Sequence, residues 1–442
     1  MTTTIILLLF VIAAALFFEY INGFHDAANA IATVVSTKVL SPRNALLYAA
    51  VLNFFGAFFG THVAKTIGAG IVEKTAVTQE VILCALLGAI IWNLLTWFFA
   101  IPSSSSHALI GGLVGAAVTH SGFTILHLNG LINKVIIPMF ASPLIGFIAG
   151  FSVMLMLLWI CAKAAPEKIN KKFKFLQLIS AGVMAFSHGS NDAQKVMGII
   201  TLSLITGGLL GTSAFNVMDK APGTQRSEVP GQLERPEHFK STVGTDTTIT
   251  LEWDAVRNAS DYTLEYKQSS ETSWTSATFS DTTAKIENLM AGTYYDFRVR
   301  AADNDELFSA SDWSTIRAKS LGFRVPVWVI LICAVTMACG TMSGGWKIIR
   351  TMGTRVIKLK PIHGFAAETT AATTILTASW FGIPVSTTHT ISTAIMGVGS
   401  TIRFSAVKWG LVGNIVLAWF LTIPICAILS AVLYALFVGT YN

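Results

Sequence analysis

The stretch INGFHDAANA, residues 21–30, sets His25, Asp26 and Asn29 between two apolar runs, 5–18 and 27–35. A charged side chain near the centre of a bilayer costs at least ~2.5–3.5 kcal/mol, so it persists where it has work to do. Whether this chain meets a bilayer, and whether the stretch has a partner, follows from the rest of the sequence.

The chain has 442 residues, 53% hydrophobic and 12% charged, with mean hydropathy +0.62. Soluble domains carry roughly a quarter charged residues, so the composition is that of a polytopic membrane protein. Apolar runs close to the ~20 residues needed to span occur near 3–21, 45–64, 81–101, 135–163, 325–342, 364–381 and 410–438. Shorter or interrupted runs lie at 27–37, 107–119, 175–187, 194–217 and 389–403. No Lys or Arg precedes Lys38, so the first run lacks the basic flank of a cleavable signal peptide. The five cysteines (Cys84, Cys161, Cys333, Cys339, Cys426) fall in apolar segments without metal-ligand spacing and read as small core residues.

Charge divides the chain. Residues 219–324 hold 17 acids and 12 bases, net −5; the other 336 hold 7 acids and 18 bases, net +11. Four of those seven acids (Glu19, Asp26, Asp192, Glu368) lie in or beside apolar runs. Basic loops mark the cytoplasmic side: Lys38/Arg43, the run 163–174, the run 347–360, and Arg403 with Lys408. The 65–80 loop has no net charge and suits the outside. Counting spans from these loops puts residues 219–324 and both termini outside.

Within 219–324 the hydropathy falls and alternating stretches appear: TITLEW, YTLEYK, AKIEN and YYDFRVRAA. Short strands with turn signals every eight to twelve residues predict a β-sandwich. Trp253, Tyr262, Tyr295 as a corner tyrosine, and Trp313 resemble the pattern of a fibronectin type III domain over about 233–319. Its aromatics are expected to be core.

The opening stretch has a partner. GFHD at 23–26 matches GSND at 189–192, aligning Gly23 with Gly189 and Asp26 with Asp192. IPSSSSH at 101–107 matches IPVSTTH at 383–389, pairing Ser104/Ser386, Ser105/Thr387, Ser106/Thr388 and His107/His389. Asp26 precedes His107 by 81 residues and Asp192 precedes His389 by 197, of which about 106 are the insert and its linkers. Two copies of one unit are expected, of opposite topology, because the loop after the first Asp motif is inside and the insert after the second is outside. The expected fold is mainly α: a polytopic membrane protein of two inverted-topology repeats with re-entrant hairpins, plus an inserted all-β immunoglobulin-like sandwich. The boundaries are 1–163 for the first repeat, 175–218 with 325–442 for the second, and 229–319 for the insert.

Inverted repeats with polar breaks at matching places point to a secondary transporter with its site near the midplane. Gly23 and Gly189 are expected to let their helices unwind and free carbonyls for a cation beside Asp26 and Asp192. Asn29, Asn191 and Gln194 offer amide oxygens, and the two aspartates suit a pair of cation sites or a proton relay. In the IPxSxxH motifs Pro ends a helix, and the hydroxyl run caps the short segment that follows, too short to span. A helix N-terminus with Ser/Thr donors binds anions, and two facing each other would cradle a small tetrahedral oxyanion. Ser103 faces Val385 in the alignment and is the weaker candidate. Lys195 has no counterpart in the first motif and either nears the anion or snorkels. Glu368 and Glu19 are each a cation ligand or an interfacial acid. His107 and His389 are donors to the anion or, better, rigid supports.

GFHDAANA, SHGSNDAQK, IPSSSSH and IPVSTTH resemble the motifs of the inorganic phosphate transporter (PiT) family, over about 1–218 and 325–442. The resemblance implies phosphate import by symport with Na+ or H+ through alternating access, and no enzymatic activity. It implies phosphate binding at Ser104, Ser105, Ser106, Ser386, Thr387 and Thr388. Cation duty falls on Asp26, Asn29, Asn191 and Asp192, with Glu368 added, and His107, His389, Gly23 and Gly189 support. No cofactor or metal is expected beyond a coupling Na+. The partners expected are phosphate, the cation, the lipid bilayer of a bacterial plasma membrane, an unidentified extracytoplasmic partner of the insert and a second copy in a homodimer; nucleic acid is not among them. The insert departs from the family, whose members have a plain loop or an unrelated segment there. A sulfate permease is the alternative on the same scaffold, though monohydrogen phosphate wants an acceptor for its O–H and sulfate wants donors alone. A membrane-anchored adhesion or receptor protein is the alternative of another class, and it leaves paired intramembrane aspartates unexplained. An intramembrane hydrolase would need a HExxH or GxSxG motif, and neither occurs.

Overall fold

Thirteen α-helices and eight strands make up the described part of the computed structural model, which covers residues 2–72, 77–207, 209, 215–220, 231–244, 248–290, 293–303, 307–320, 323–355, 357 and 359–439. The helices are α1 (Thr2–Ser36), α2 (Pro42–Gly56), α3 (His62–Ala69), α4 (Gln79–Phe98), α5 (Ser105–Ser121), α6 (Leu128–Leu131), α7 (Ile137–Ile160), α8 (Pro166–Thr206), α9 (Val327–Ser343), α10 (Trp346–Arg350), α11 (Pro361–Trp380), α12 (Thr387–Ser400) and α13 (Trp409–Phe437). Contacts divide the chain into a helical unit, 1–207 with 325–442, and a β-rich unit, 208–324. Among the described residues four helical segments are long and apolar enough to cross a membrane, or five if the pair bent by 60° at 343–346 is one span.

The apolar runs reappear as helices with corrections: 45–64 is divided between α2 and α3, and the two glycine motifs do not break their helices. The runs 3–21 and 27–37 are one 35-residue helix, and 175–187 with 194–217 give a 41-residue helix ending at Thr206. Neither unwinds at Gly23 or Gly189. Those glycines serve close packing instead. A methyl on Gly23 would lie 2.5 Å from the Met337 carbonyl oxygen of α9, and one on Gly189 would lie 2.2 Å from the Asn53 oxygen of α2. Facing them, Gly340 of α9 sits against Tyr20 and Gly56 of α2 against Phe186, each with its missing methyl 2.2 Å from the opposing carbonyl oxygen. The backbones approach too closely for any side chain. Small residues at buried helix crossings are the usual device where helix association gains nothing from leaving water.

α1 therefore packs on α9, and α8 on α2; α4 packs on α5 as α11 does on α12; α5 lies on α13 as α12 lies on α7. Lys38, Lys174 and Lys360 line one cavity of about 840 Å³, so three of the basic loops share one end of the bundle. α8 starts at that cavity with Pro166, and its last residue, Thr206, accepts 2.7 Å from Gln79 at the start of α4. α5 ends beside the segment where Leu126 bridges Val72, whereas α12 ends with Gly399 against Ile357 and Val407.

The β-rich unit has one sheet ordered β1 (Phe215–Lys220), β8 (Ser314–Ser320), β7 (Tyr294–Ala302), β4 (Asp261–Gln268), β5 (Thr275–Phe279). Its second sheet is ordered β2 (Lys240–Gly244), β3 (Ile249–Glu252), β6 (Thr283–Ile286). All pairings are antiparallel. The alternating residues of β3, β4 and β7 bury Leu251, Leu264, Phe297 and Val299 beside Trp253. β1 lies partly in the stretch expected to be an apolar run: Phe215 pairs with Ser320 and Lys220 with Ile316 in an antiparallel register that shifts once, between Val217 and Asp219.

Candidate functional site

Because α1 is unbroken, Glu19, Asn22, Asp26, Asn29 and Thr33 recur at helical spacing along one buried stripe. α8 repeats the device with His188, Asp192 and Lys195, all at most 2% exposed. Both stripes meet the starts of α5 and α12. There Ser104 and Ser386 are the N-caps, their Oγ atoms accepting from the His107 and His389 N–H groups at 3.2 Å. Each cap oxygen accepts, which leaves its O–H, and the first N–H groups of the helix, to donate elsewhere.

Asp26 accepts from Ser105 Oγ at 3.2 Å and from Thr388 Oγ1 at 3.2 Å, and His25 Nδ1 lies 2.9 Å from it. Asp192 accepts from Thr387 Oγ1 at 3.0 Å and pairs with the Lys195 ammonium; His188 Nε2 lies 3.1 Å away. Lys195 also donates to Ser106 Oγ and, at 3.0 Å, to the Val385 carbonyl. Asn29 Nδ2 donates to Thr388 at 2.9 Å and Thr387 at 3.2 Å, while its Oδ1 is buried without a hydrogen-bond partner. Ligating atoms of Asp26, His188 and Asp192 lie within 4.8 Å of one another. One cluster thus gathers two carboxylates, three hydroxyl pairs and two helix starts, and every member is at most 4% exposed.

Other expected residues fall around it. Asn191 faces the α11–α12 turn, donating 2.7 Å to Ser379, and leaves its buried Oδ1 unpartnered. The rings of His107 and His389 meet edge to face at 4.7 Å, and His389 stacks on Trp419, whose indole N–H donates 3.0 Å to the Pro102 carbonyl. Ser103 turns away to donate 2.8 Å to Thr96. Gln194 does not join the cluster: its amide accepts from Val63 N–H at 2.9 Å and donates to Phe59, tying α8 to the start of α3. Glu368 lies apart, accepting from Thr33, Ser180 and, at 3.1 Å, Gln177. Thr33 is seven residues beyond Asp26 on α1, which is about 10 Å along a helix. Glu19 is fully buried and neither carboxylate oxygen has a hydrogen-bond partner.

Sequence reading missed His188, although its place four residues before Asp192 fits one helical face; the expected break at Gly189 hid that spacing. It also left Lys195 without a counterpart. Both residues three positions after an aspartate, Asn29 and Lys195, occupy the same helical position.

Apolar helices carrying a buried polar cluster between two helix starts define a polytopic membrane protein with an internal polar site. The chain belongs to the phosphate transporter family, whose model matches residues 22–168 and 161–430. It is 38% identical to a probable low-affinity inorganic phosphate transporter of Rhizobium meliloti (strain 1021), covering 96% of this chain and 94% of the relative. A protein of the same description from Bacillus subtilis (strain 168) is 36% identical, covering 98% of each. A solved structure described as the sodium-dependent phosphate transporter shares the fold, with TM-score 0.68, 20% identity, and coverage of 99% of this chain and 100% of that one.

Proposed function

We propose that this phosphate transporter is a secondary active symporter in which phosphate is held between the starts of α5 and α12 and a cation is held beside Asp26 and Asn29. The observation that carries the reading is the meeting of both aspartates with the hydroxyls of both helix starts in one buried cluster. Ser105, Thr387, Ser106 and Thr388 are short donors at positive helix ends, which suits an oxyanion. An Asp carboxylate beside a buried, unpartnered amide oxygen suits a small cation. In this reading Ser104 and Ser386 complete the anion cradle and His107 with His389 brace the two helix starts; Asn191, turned to Ser379, and Glu368, occupied by Thr33, Ser180 and Gln177, stand apart from this cation. Na+ is one candidate cation, since the structural relative is described as sodium-dependent; H+ is the other.

Alternating access by two inverted halves is supported by the mirrored packing of α1 on α9 and α8 on α2, and by α5 and α12 running to different ends. Burial of the whole cluster suits an occluded conformer. We assign the first half to 1–163 and the second to α8 (Pro166–Thr206) with 325–442; the boundaries expected at 218 and 229 both move to 207/208, because Phe215–Lys220 pairs with Ser314–Ser320 in the β-rich unit. The β-rich unit reads as a fibronectin type III-like module: it has two antiparallel sheets, and Tyr295 Oη accepts 2.8 Å from the Met290 N–H in the manner of a corner tyrosine. The shared cavity of Lys38, Lys174 and Lys360 suits a cytoplasmic end, and in this reading the insert and both termini are extracytoplasmic.

The test is phosphate binding to purified Ser105→Ala/Thr387→Ala protein compared with Asp26→Asn, in detergent, with and without Na+. Loss of affinity in the first and loss of cation dependence in the second support the division of labour. Unchanged affinity in the double variant would remove the cradle.

A further inference from the structure

The two half-sites share two contacts, although Thr388 also donates to Asp26 whereas its counterpart Ser106 turns to the Val385 carbonyl. Ser105 donates to Asp26 at 3.2 Å, and its counterpart Thr387 donates to Asp192 at 3.0 Å. Three residues after each aspartate, a side chain crosses to the opposite helix start: Asn29 donates to Thr388, and Lys195 donates to the matching Ser106. These positions differ by one full positive charge. Asn29 keeps a buried, unpartnered carbonyl oxygen beside Asp26. Lys195 has no acceptor to offer, and its three N–H groups are taken by Asp192, Ser106 and the Val385 carbonyl.

We propose that Lys195 is a tethered cation, its ammonium standing where the second half-site would otherwise take up a mobile one, so that each phosphate moves with a single cation bound at Asp26 and Asn29. The inference rests on the symport reading above and specifies its stoichiometry. Three features carry it. The ammonium pairs with Asp192 in place of a soluble ion. A second cation beside it would meet like charge and no free oxygen ligand from position 195. Its bond to Ser106 also ties a charge of the second half to the helix start of the first, beside the proposed anion cradle.

Cation and phosphate fluxes measured together in proteoliposomes, under separately imposed Na+ and pH gradients, test this. One cation per phosphate is expected for the wild-type chain. Lys195→Asn restores the Asn29 pattern in both halves and should raise the ratio to two, with cation dependence changing from hyperbolic to sigmoidal. Asn29→Lys should abolish cation dependence. A wild-type ratio of two or more overturns the proposal even if neither variant folds. An unchanged ratio in a folded, active Lys195→Asn protein also overturns it. Uptake that responds to neither gradient would instead overturn the symport reading itself.

Discussion

Thr388 Oγ1 donates to Asp26 Oδ1 at 3.2 Å, joining a helix start near one end of the sequence to a carboxylate near the other, 362 residues away. Asp26 also accepts from Ser105 at the start of α5, so one carboxylate reads both helix starts at once. Movement of either helix start must break or remake a bond to Asp26, which couples the two starts to the charge beside them.

Asp26→Asn and Asp192→Asn should each abolish cation-driven phosphate uptake while leaving the protein folded and inserted. An amide keeps the volume and one acceptor oxygen but removes the charge that holds a cation, or in Asp192 the partner of Lys195. Labelled phosphate uptake by membrane vesicles, with protein quantified by immunoblot, checks this. Normal cation-driven uptake by both variants would refute the assignment.

Removing Ser105 and Thr387 hydroxyls together should weaken phosphate binding by at least ~10-fold. A hydrogen bond to a charged group contributes roughly 1.5–3 kcal/mol, and 1.4 kcal/mol is a factor of ten. Equilibrium binding of labelled phosphate to the double alanine variant measures it directly.

Much of this site is legible in the sequence. The paired aspartates, the three hydroxyl pairs and the two histidines declare themselves because each motif occurs twice with matching spacing. The helix path through Gly23 and Gly189 does not. A glycine in an apolar run reads equally as a break or as a close contact, and only the carbonyl oxygens of Met337 and Asn53, more than a hundred residues distant in sequence, decide for contact. Gln194 misleads for a similar reason: its amide suits a cation, yet Val63 and Phe59 claim it. β1 was hidden because a six-residue strand beside an apolar run carries too little periodicity to separate from it.

The glycine crossings give a sharp stability prediction. Gly340→Val and Gly56→Val place a Cβ only 2.2 Å from the Tyr20 and Phe186 carbonyl oxygens, well inside van der Waals contact, and helix backbone cannot yield cheaply. Each should destabilise the purified protein by roughly 1–3 kcal/mol or more, seen as a lower unfolding temperature in detergent. Gly413→Ala, on a face of α13 with nothing within 4 Å, should leave the unfolding temperature unchanged or slightly raised.

Replacing residues 215–320 by a short polar linker should leave transport intact. The matching connection in the first half, from Lys38 to Asn44, is only seven residues long, so the helical scaffold itself does not need a domain there. The cut must include Phe215–Lys220, because these residues pair with Ser314–Ser320 and would be left as an open strand edge if β8 alone were removed. A deletion protein that reaches the membrane in normal amount yet carries no phosphate would place the insert within the transport machinery.

The central claim, cation-driven phosphate symport, is tested most directly by labelled phosphate accumulation in proteoliposomes containing the purified chain, with Na+ and pH gradients imposed one at a time and sulfate added as competitor. Uphill accumulation driven by one of the gradients and unaffected by excess sulfate is the result predicted; accumulation that never exceeds equilibrium under either gradient, or that sulfate abolishes, would contradict it.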